Sequence, residues 1–399
     1  MRNTKIACLL ATCALLSAPQ ADAAEKVRVF IMAGQSNMQG LGQADWGVDY
    51  LGFNSETNKH EYSEAYVGGP GSLRHYAQTV NPAAYGHLLD ANGDWKVRDD
   101  VFIWSRNGQD LPGIDDDDSK DNDTLMGNLT IGYGARPSSG RLQIGPEFGF
   151  GHAVGDAFDD QVAIIKIAWG GKALAYDFRP PSARDLDPSD PQYIDWTVKG
   201  VRQDGSGRDN YPPENVGKYY DLTVSNVKDA LVDLAAQFPD KELELTGFAW
   251  HQGFNDRLDT QFRTQYGENL KDFITDIRDD LDAPDLPFVL ATTSQNPTYR
   301  ATRTLQMITE QLSVTDPDDP NFVDNTAGFD TSDLWREVEE SPRPDGAHWN
   351  QNGETYYLIG DTLGQEMVTL VPEPASLTLL GVCGLLITRR RREVSRHSV

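Results

Sequence analysis

The sequence predicts an α/β domain of three layers, in which a mainly parallel sheet is covered by helices on both faces. Two observations carry this. Short apolar runs recur at 27–33, 162–168, 243–250 and 288–292, each of strand length and bounded by turn residues. Between them lie stretches whose apolar residues step by three and four, so strand-like and helix-like segments alternate along the chain, the order of a parallel sheet with helical crossovers.

The first run, Val27-Arg-Val-Phe-Ile-Met-Ala33, stops abruptly at Gly34-Gln-Ser-Asn-Met38. A strand would carry Ser36 to the sheet edge, and Gly34 permits the tight turn. The residues that follow can open a helix with free N–H groups facing a developing oxyanion. Residues 39–144 are rich in Gly, Pro, Asp and Asn and read as a wall of a binding cleft. Within them Asp115–Asp118, Asp121 and Asp123 lack the glycine and final Glu of an EF-hand loop and read as a solvated acidic loop. Gly145-Pro-Glu-Phe148 is a helix start with Pro in the first turn.

The second run, Val162-Ala-Ile-Ile-Lys-Ile-Ala168, ends in Trp169-Gly-Gly171. A second cleft wall is expected at 177–215, followed by a helix over 216–238 with Tyr220, Val224, Val227, Leu231, Leu234 and Phe238 on one face. The third run ends in Trp250-His-Gln-Gly-Phe-Asn-Asp256. Tyr266, Leu270, Phe273, Ile274, Ile277 and Leu281 mark another helix. Near the end stands Pro344-Asp-Gly-Ala-His-Trp-Asn350, whose Asp345 and His348 are spaced for a carboxylate to orient an imidazole aimed at a serine. Residues 353–367 form the last helix.

Composition narrows the function. The chain has 399 residues, 39% of them hydrophobic, and a net charge of −26, so it can bury a sizeable core and will repel nucleic acid and anionic membrane surfaces. Its cysteines, Cys8, Cys13 and Cys383, all lie near the ends. Residues 25–370 therefore have no disulfide, thiol nucleophile or Cys-based metal site. No His pair stands at zinc spacing, no phosphate-binding glycine loop is present, and no cofactor or metal is expected.

The ends have their own chemistry. Basic Met1–Lys5, apolar Ile6–Leu16 and Ala21-Asp-Ala23 follow the order of a secretory signal cut after Ala23 or Ala24. A lipoprotein reading of Leu10-Ala-Thr-Cys13 would cut that apolar run short. At the other end, Val371-Pro-Glu-Pro-Ala375 precedes an apolar run, Ser376–Thr388, and Arg389–Arg392. This run falls short of the ~20 residues of a comfortable membrane span, which weighs against an ordinary single-pass anchor. It resembles the PEP-CTERM sorting tail, implying an exosortase-type partner, transient inner-membrane contact, and delivery to the cell surface or beyond. The expected organisation is then a signal peptide over 1–24, a catalytic domain over 25–370 and a sorting tail over 371–399.

Four blocks, Gly34-Gln-Ser-Asn-Met38, Ala168-Trp-Gly-Gly171, Trp250-His-Gln-Gly-Phe-Asn-Asp256 and Asp345-Gly-Ala-His348, come in that order. Three of them follow strand ends, where parallel sheets place their ligands. Together they resemble the SGNH hydrolase superfamily, and more closely the sialate O-acetylesterase and acetylxylan esterase group, carbohydrate esterase family 6. The resemblance implies a flavodoxin-like three-layer fold, an acetylated carbohydrate substrate, Ser36 as nucleophile, His348 as base and Asp345 as its orienting carboxylate. It gives the oxyanion hole to the Ser36 N–H, the N–H of Gly171 or Gly170, and the Asn255 amide.

This chain has Phe254 where the group commonly has Glu, which makes Gln252 a rival or partner to Asn255. Glu339 and Glu340 are the alternatives to Asp345. Trp349, as a sugar-stacking face, and Glu147 are candidate substrate-binding residues, Glu147 alternatively supporting the site from a helix start, with Trp46 and Trp104 weaker aromatic candidates. His251 reads as structural. Rival functions are an esterase for a non-carbohydrate acyl group and a catalytically silent glycan-binding or matrix protein.

Overall fold

The computed structural model describes residues 25–108, 124–135, 141–196, 211–296 and 302–371. The signal segment, the Asp115–Asp123 run and the tail beyond Val371 lie outside the described residues. Among the described residues no helix is long and apolar enough to cross a membrane.

Among the described residues the central sheet has seven strands: β1 (Lys26–Gly34), β2 (Arg98–Gly108), β3 (Leu125–Leu129), β4 (Gln161–Trp169), β5 (Glu242–His251), β6 (Phe288–Ala291) and β7 (Thr326–Phe329). Their order is β7-β6-β5-β1-β4-β2-β3. All neighbours are parallel except β2 and β3, which pair antiparallel at one edge. The mainly parallel α/β architecture expected from the sequence is what forms.

Both faces of the sheet are apolar, as parallel sheets require. On one face Phe30 and Met32 of β1 pack with Phe148, Phe150 and Val154 of α2 (Pro146–Ala157) and Ile359, Leu363 and Met367 of α6 (Gly353–Leu370). On the other, Val29, Ile31 and Ala33 meet α3 (Lys218–Gln237), α4 (Tyr266–Asp280) and α5 (Thr302–Leu312). There Trp250 and Phe273 stand 4.7 Å apart, and Phe248 stacks on Phe288 at 5.2 Å.

Helices α2 and α6 approach closely through glycine. A Cβ on Gly149 would run into the Tyr357 carbonyl, and one on Gly360 into the Pro146 carbonyl. This contact matters for the site, because α2 begins beneath Ser36 and α6 begins just after His348.

The structure corrects the reading of 39–144 as a cleft wall alone. That segment supplies β2, in register with β4 from Val101↔Val162 onward, and edge strand β3. Its remainder includes the antiparallel hairpin Tyr50–Asn54 with Lys59–Tyr62. The apolar core of β2 is short and flanked by Arg98, Asp99, Asp100 and Arg106, so composition hid a strand whose charged ends serve ion pairs such as Arg98 with Asp100 and Asp156.

Gly360→Ala is expected to force α2 and α6 apart and lower the unfolding free energy by about 1–3 kcal/mol. Urea unfolding of the variant against wild type measures this, and an unchanged midpoint would show that the helices do not depend on the close approach.

Candidate active site

Strand β1 delivers Ser36 through a constrained turn. Gly34 has φ +156, and a Cβ there would strike the His251 carbonyl of neighbouring β5. The Gln35 N–H donates to that same carbonyl at 3.3 Å. Ser36 then opens a one-turn helix, α1 (Ser36–Gln39), closed by Gly40 N–H on the Ser36 carbonyl at 3.0 Å.

The turn rests on a buried charge. Lys166 Nζ, on β4, donates to the Gln39 carbonyl and the Tyr133 carbonyl, both at 2.8 Å, and to Glu147 Oε2 at 2.5 Å. Burial pushes the Lys166 ammonium below its ordinary pKa, while Glu147 acts to raise it. Both side chains are fully buried. Glu147 also accepts the Gly145 N–H at 2.8 Å, so it supports the serine turn from underneath and cannot meet a substrate. That corrects its place among substrate-contact candidates. A lone Lys in the apolar 162–168 run was the signal for this partner.

His348 links the other two groups. Its Nε2 lies 3.1 Å from Ser36 Oγ, and its Nδ1 lies 3.0 and 3.1 Å from the two Asp345 oxygens. An ionised carboxylate only accepts, so Nδ1 carries the proton and Nε2 is left to take one from Ser36. Burial acts to raise the Asp345 carboxyl, but the hydrogen bond and electrostatic attraction of the His348 ring, the Gln351 amide and Arg343 hold it below the usual carboxylate range. Gln351 Nε2 donates to Asp345 Oδ2 at 3.2 Å, and Asn350 Oδ1 accepts the Asp345 N–H at 2.9 Å. His348 pairs with Asp345 and not with Glu339 or Glu340.

The turn carrying His348 is unusual. Trp349, Asn350 and Gln351 all have left-handed backbone, with φ 52, 52 and 57, at a cost of about 1–2 kcal/mol each for L-residues. Trp349 is 0% exposed and sits in the core, 6.2 Å from Trp335. No sugar can stack on it, which corrects that expectation. It anchors the strained turn. Trp104 is likewise in the core, and Trp46 lies against the Arg141 guanidinium.

Two further loops carry the oxyanion candidates, and the first of them stands against Ser36. A Cβ on Gly170 would stand 3.7 Å from Ser36 Cβ, and the neighbouring Gly171 has φ +70. Asn255 Nδ2 donates to the Gly171 carbonyl, tying the Gly170–Gly171 turn to the loop after β5. Gln252 is removed from the set. It is buried, its Nε2 faces Gln35 Oε1, the Lys172 carbonyl and Asp256 Oδ2 at 3.2, 2.8 and 2.6 Å, and its Oε1 accepts from Tyr266 at 2.9 Å. Two N–H groups facing three internal acceptors have nothing to offer an oxyanion. Phe254, in the position where Glu is common, lies 4.3 Å beneath the Arg257 guanidinium. His251 is buried with Nδ1 on the Ala291 carbonyl at 3.0 Å, and burial lowers its pKa to about 4, consistent with a structural role.

Two residues of the framework were not anticipated. Gln35 Oε1 accepts from the Gly253 and Asn255 N–H groups at 3.2 and 3.4 Å. Asp256, fully buried, accepts from the Leu174 and Ala175 N–H groups, both at 2.9 Å, and so pins the loop after Gly171. Both stand inside the motif blocks, and polar side chains there were the available signal. Among the described residues no cluster of His, Cys, Asp or Glu could hold a metal ion.

Residues 135–354 match the family described as carbohydrate esterase, sialic acid-specific acetylesterase. No curated protein matches the sequence. Among solved structures, the chain is similar to a protein from Arabidopsis thaliana at 16% identity, covering 86% of this chain and 98% of that one with a TM-score of 0.47. It is also similar to a carbohydrate acetylesterase from Xanthomonas citri (13% identity, 85% and 57% covered, TM-score 0.39). A third similar structure is NanS (13% identity, 82% and 87% covered, TM-score 0.40).

Lys166→Met would leave Glu147 buried and unpaired, and a loss of about 3–5 kcal/mol in unfolding free energy is expected. Adding Glu147→Gln should recover part of it. Equal losses for the single and double variants in urea unfolding would show that the charge pair is not what matters.

Burial raises the Asp256 carboxyl from 3.8 to about 6, against the Ala175 N–H, the Gln252 amide and the Leu174 N–H. Between pH 4 and 6 the folded chain then holds a proton that the unfolded chain releases. Stability should fall as pH rises through this window, by about 3 kcal/mol for this group, and Asp256→Asn should abolish that share. Urea unfolding of both proteins at pH 4 and pH 7 tests it, and an identical pH dependence in the two would refute it.

Proposed function

The chain belongs to the sialic acid-specific acetylesterase family of carbohydrate esterases, and from that membership we propose that it is an exported serine esterase removing O-acetyl groups from poly- or oligosaccharides. The observation that carries the serine mechanism is His348, within hydrogen-bond reach of Ser36 on one ring nitrogen and of Asp345 on the other.

In this reading Ser36 Oγ attacks the acetyl carbonyl as its proton passes to His348 Nε2. The carbonyl oxygen becomes an oxyanion beside the Ser36 N–H, the N–H groups of the Gly170–Gly171 turn and the second Asn255 N–H. Each such donor is typically worth about 3 kcal/mol in the transition state. Collapse expels the sugar hydroxyl, which takes its proton from His348 and leaves an acetyl-serine. Water, deprotonated by the same imidazole, repeats the attack and releases acetate. Asp345 stays ionised throughout, fixing the tautomer and stabilising the imidazolium.

Export and delivery rest on the sequence of the two ends: the signal segment 1–24, the domain 25–370 and the Pro-Glu-Pro tail 371–399 with its exosortase-type partner. A surface-delivered hydrolase meets polysaccharide outside the cell, and the chain's net charge of −26 favours neutral glycans over polyanions.

Acetate release by residues 25–370 from an aryl acetate, acetylated xylan, acetylated sialic acid and acetylated exopolysaccharide tests the reading. Ser36→Ala should lower kcat by about 10⁶-fold or to background, and Asp345→Asn by about 10⁴-fold. The preferred glycan names the substrate class. A folded wild type that releases acetate from none of them, or a Ser36→Ala variant as active as wild type, would overturn the proposal.

A further inference from the structure

The two peptide carbonyls flanking the His348 Cα are gripped by side chains that touch none of the reacting groups. The Ala347 carbonyl accepts from Asn37 Nδ2 at 3.1 Å and from Gln295 Nε2 at 3.2 Å. The His348 carbonyl lies 3.3 Å from the Tyr356 hydroxyl, which also lies 2.7 Å from Asn37 Oδ1. A hydroxyl has one proton, and the shorter contact to Asn37 takes the larger share of it. Asn37 therefore donates to the peptide before His348 and accepts from the tyrosine that reaches the peptide after it. A primary amide presents a donor and an acceptor from one plane; a carboxylate in its place would face the Ala347 carbonyl with an acceptor.

The location gives this grip its meaning. Asn37 follows Ser36 on the same one-turn helix, while Ala347 and His348 are more than three hundred residues further along. Asn37 and Tyr356 are buried, and Gln295 is 1% exposed. The segment they hold leads straight into the left-handed run Trp349–Gln351, a backbone that persists only where its surroundings over-determine it. The Ser36 and His348 side chains meet by a single hydrogen bond in a partly open site, where water competes for both.

We infer that Asn37, Gln295 and Tyr356 are positioning residues that set the register between Ser36 and His348 by clamping the Ala347–His348 backbone to the serine helix. This rests on the serine-esterase reading and deepens it. The clamp carries His348 on the same rigid piece as the nucleophile, so the base stays aimed at Ser36 through both halves of the reaction.

Tyr356→Phe, which removes one oxygen, Asn37→Asp, which keeps the shape, and Gln295→Met test the clamp. Active sites are counted by titration with a fluorophosphonate, and kcat and KM are measured per titrated site on an aryl acetate. A fall in kcat of about 10- to 100-fold with KM held within about twofold is expected, from a misplacement of an ångström or less. The rate of Ser36 labelling should fall by the same factor, because that reaction needs the Ser36–His348 alignment and no sugar. Combining Asn37→Asp with Tyr356→Phe should cost little more than the worse single change, as expected of one unit.

Unchanged kcat and labelling rate per titrated site, with only fewer sites or a lower Tm, would reduce the three residues to packing and overturn the inference. So would losses that multiply in the double variant. Should Asn37→Asp fail to fold, Tyr356→Phe and Gln295→Met decide the question. A wild type that labels at Ser36 but hydrolyses no ester would defeat the proposed function while leaving the clamp readable from labelling rates. A wild type that does neither defeats both.

Discussion

A buried ammonium, Lys166, is the interaction on which the site is built. Three oxygens from three separate segments meet at its Nζ: the end of α1, the Tyr133 loop and Glu147 in the first turn of α2. A cation is favoured at the carbonyl end of a helix, but Lys166 and Glu147 are wholly out of water, and a buried pair seldom stabilises more than an apolar pair of similar volume. What it supplies is location. A fully desolvated charge tolerates few arrangements, so the serine turn, the loop before α2 and strand β4 are held in one mutual geometry.

Above that floor the sheet does the convergent work. Gly34 of β1 stands opposite Ala168 of β4 and His251 of β5, so three loops leave three adjacent strands at the same height. Their first residues are Gln35 and Ser36, Gly170 and Gly171, and Gln252 to Asp256. The loops are sewn together by buried polar side chains, with Gln35 joined to Gln252 and to the Gly253 and Asn255 backbone, and Asp256 joined to the 174–175 backbone. Such a network is costly when half satisfied and rigid when complete. The groups assigned to the chemistry are partly exposed, and those that hold them are buried.

The fourth component arrives differently. His348 comes from the turn before α6, on no strand of the sheet, and it is carried by a left-handed backbone with a buried tryptophan as its anchor. The close glycine contact between α6 and α2 places that turn next to the segment Lys166 fixes. Both halves of the Ser36–His348 pair are thereby referred to the same two helices and the same two strands.

The sequence by itself determined the elements and the reactive types. Strands 27–33, 162–168 and 243–250 and the helices after them appear within a few residues of their expected bounds, because a strand buried on both faces must be apolar throughout and a helix over it must repeat every three to four residues. Ser36, Asp345 and His348 could be nominated because each lies in a short block whose pattern is set by local spacing. Tertiary structure alone decided which polar and aromatic side chains face the cleft. Trp349, Glu147 and Gln252 had suitable chemistry and the right neighbourhood in sequence, yet all three turn inward, to the core, to Lys166 and to Asp256. Strand β2 was missed for the same cause, since its charged ends pair with groups distant in the chain. Side-chain direction depends on what packs over a residue, and that is decided by how the strands and loops come together: Glu147 meets Lys166 across the sheet face, and Gln252 is turned inward by Gln35, Lys172 and Asp256.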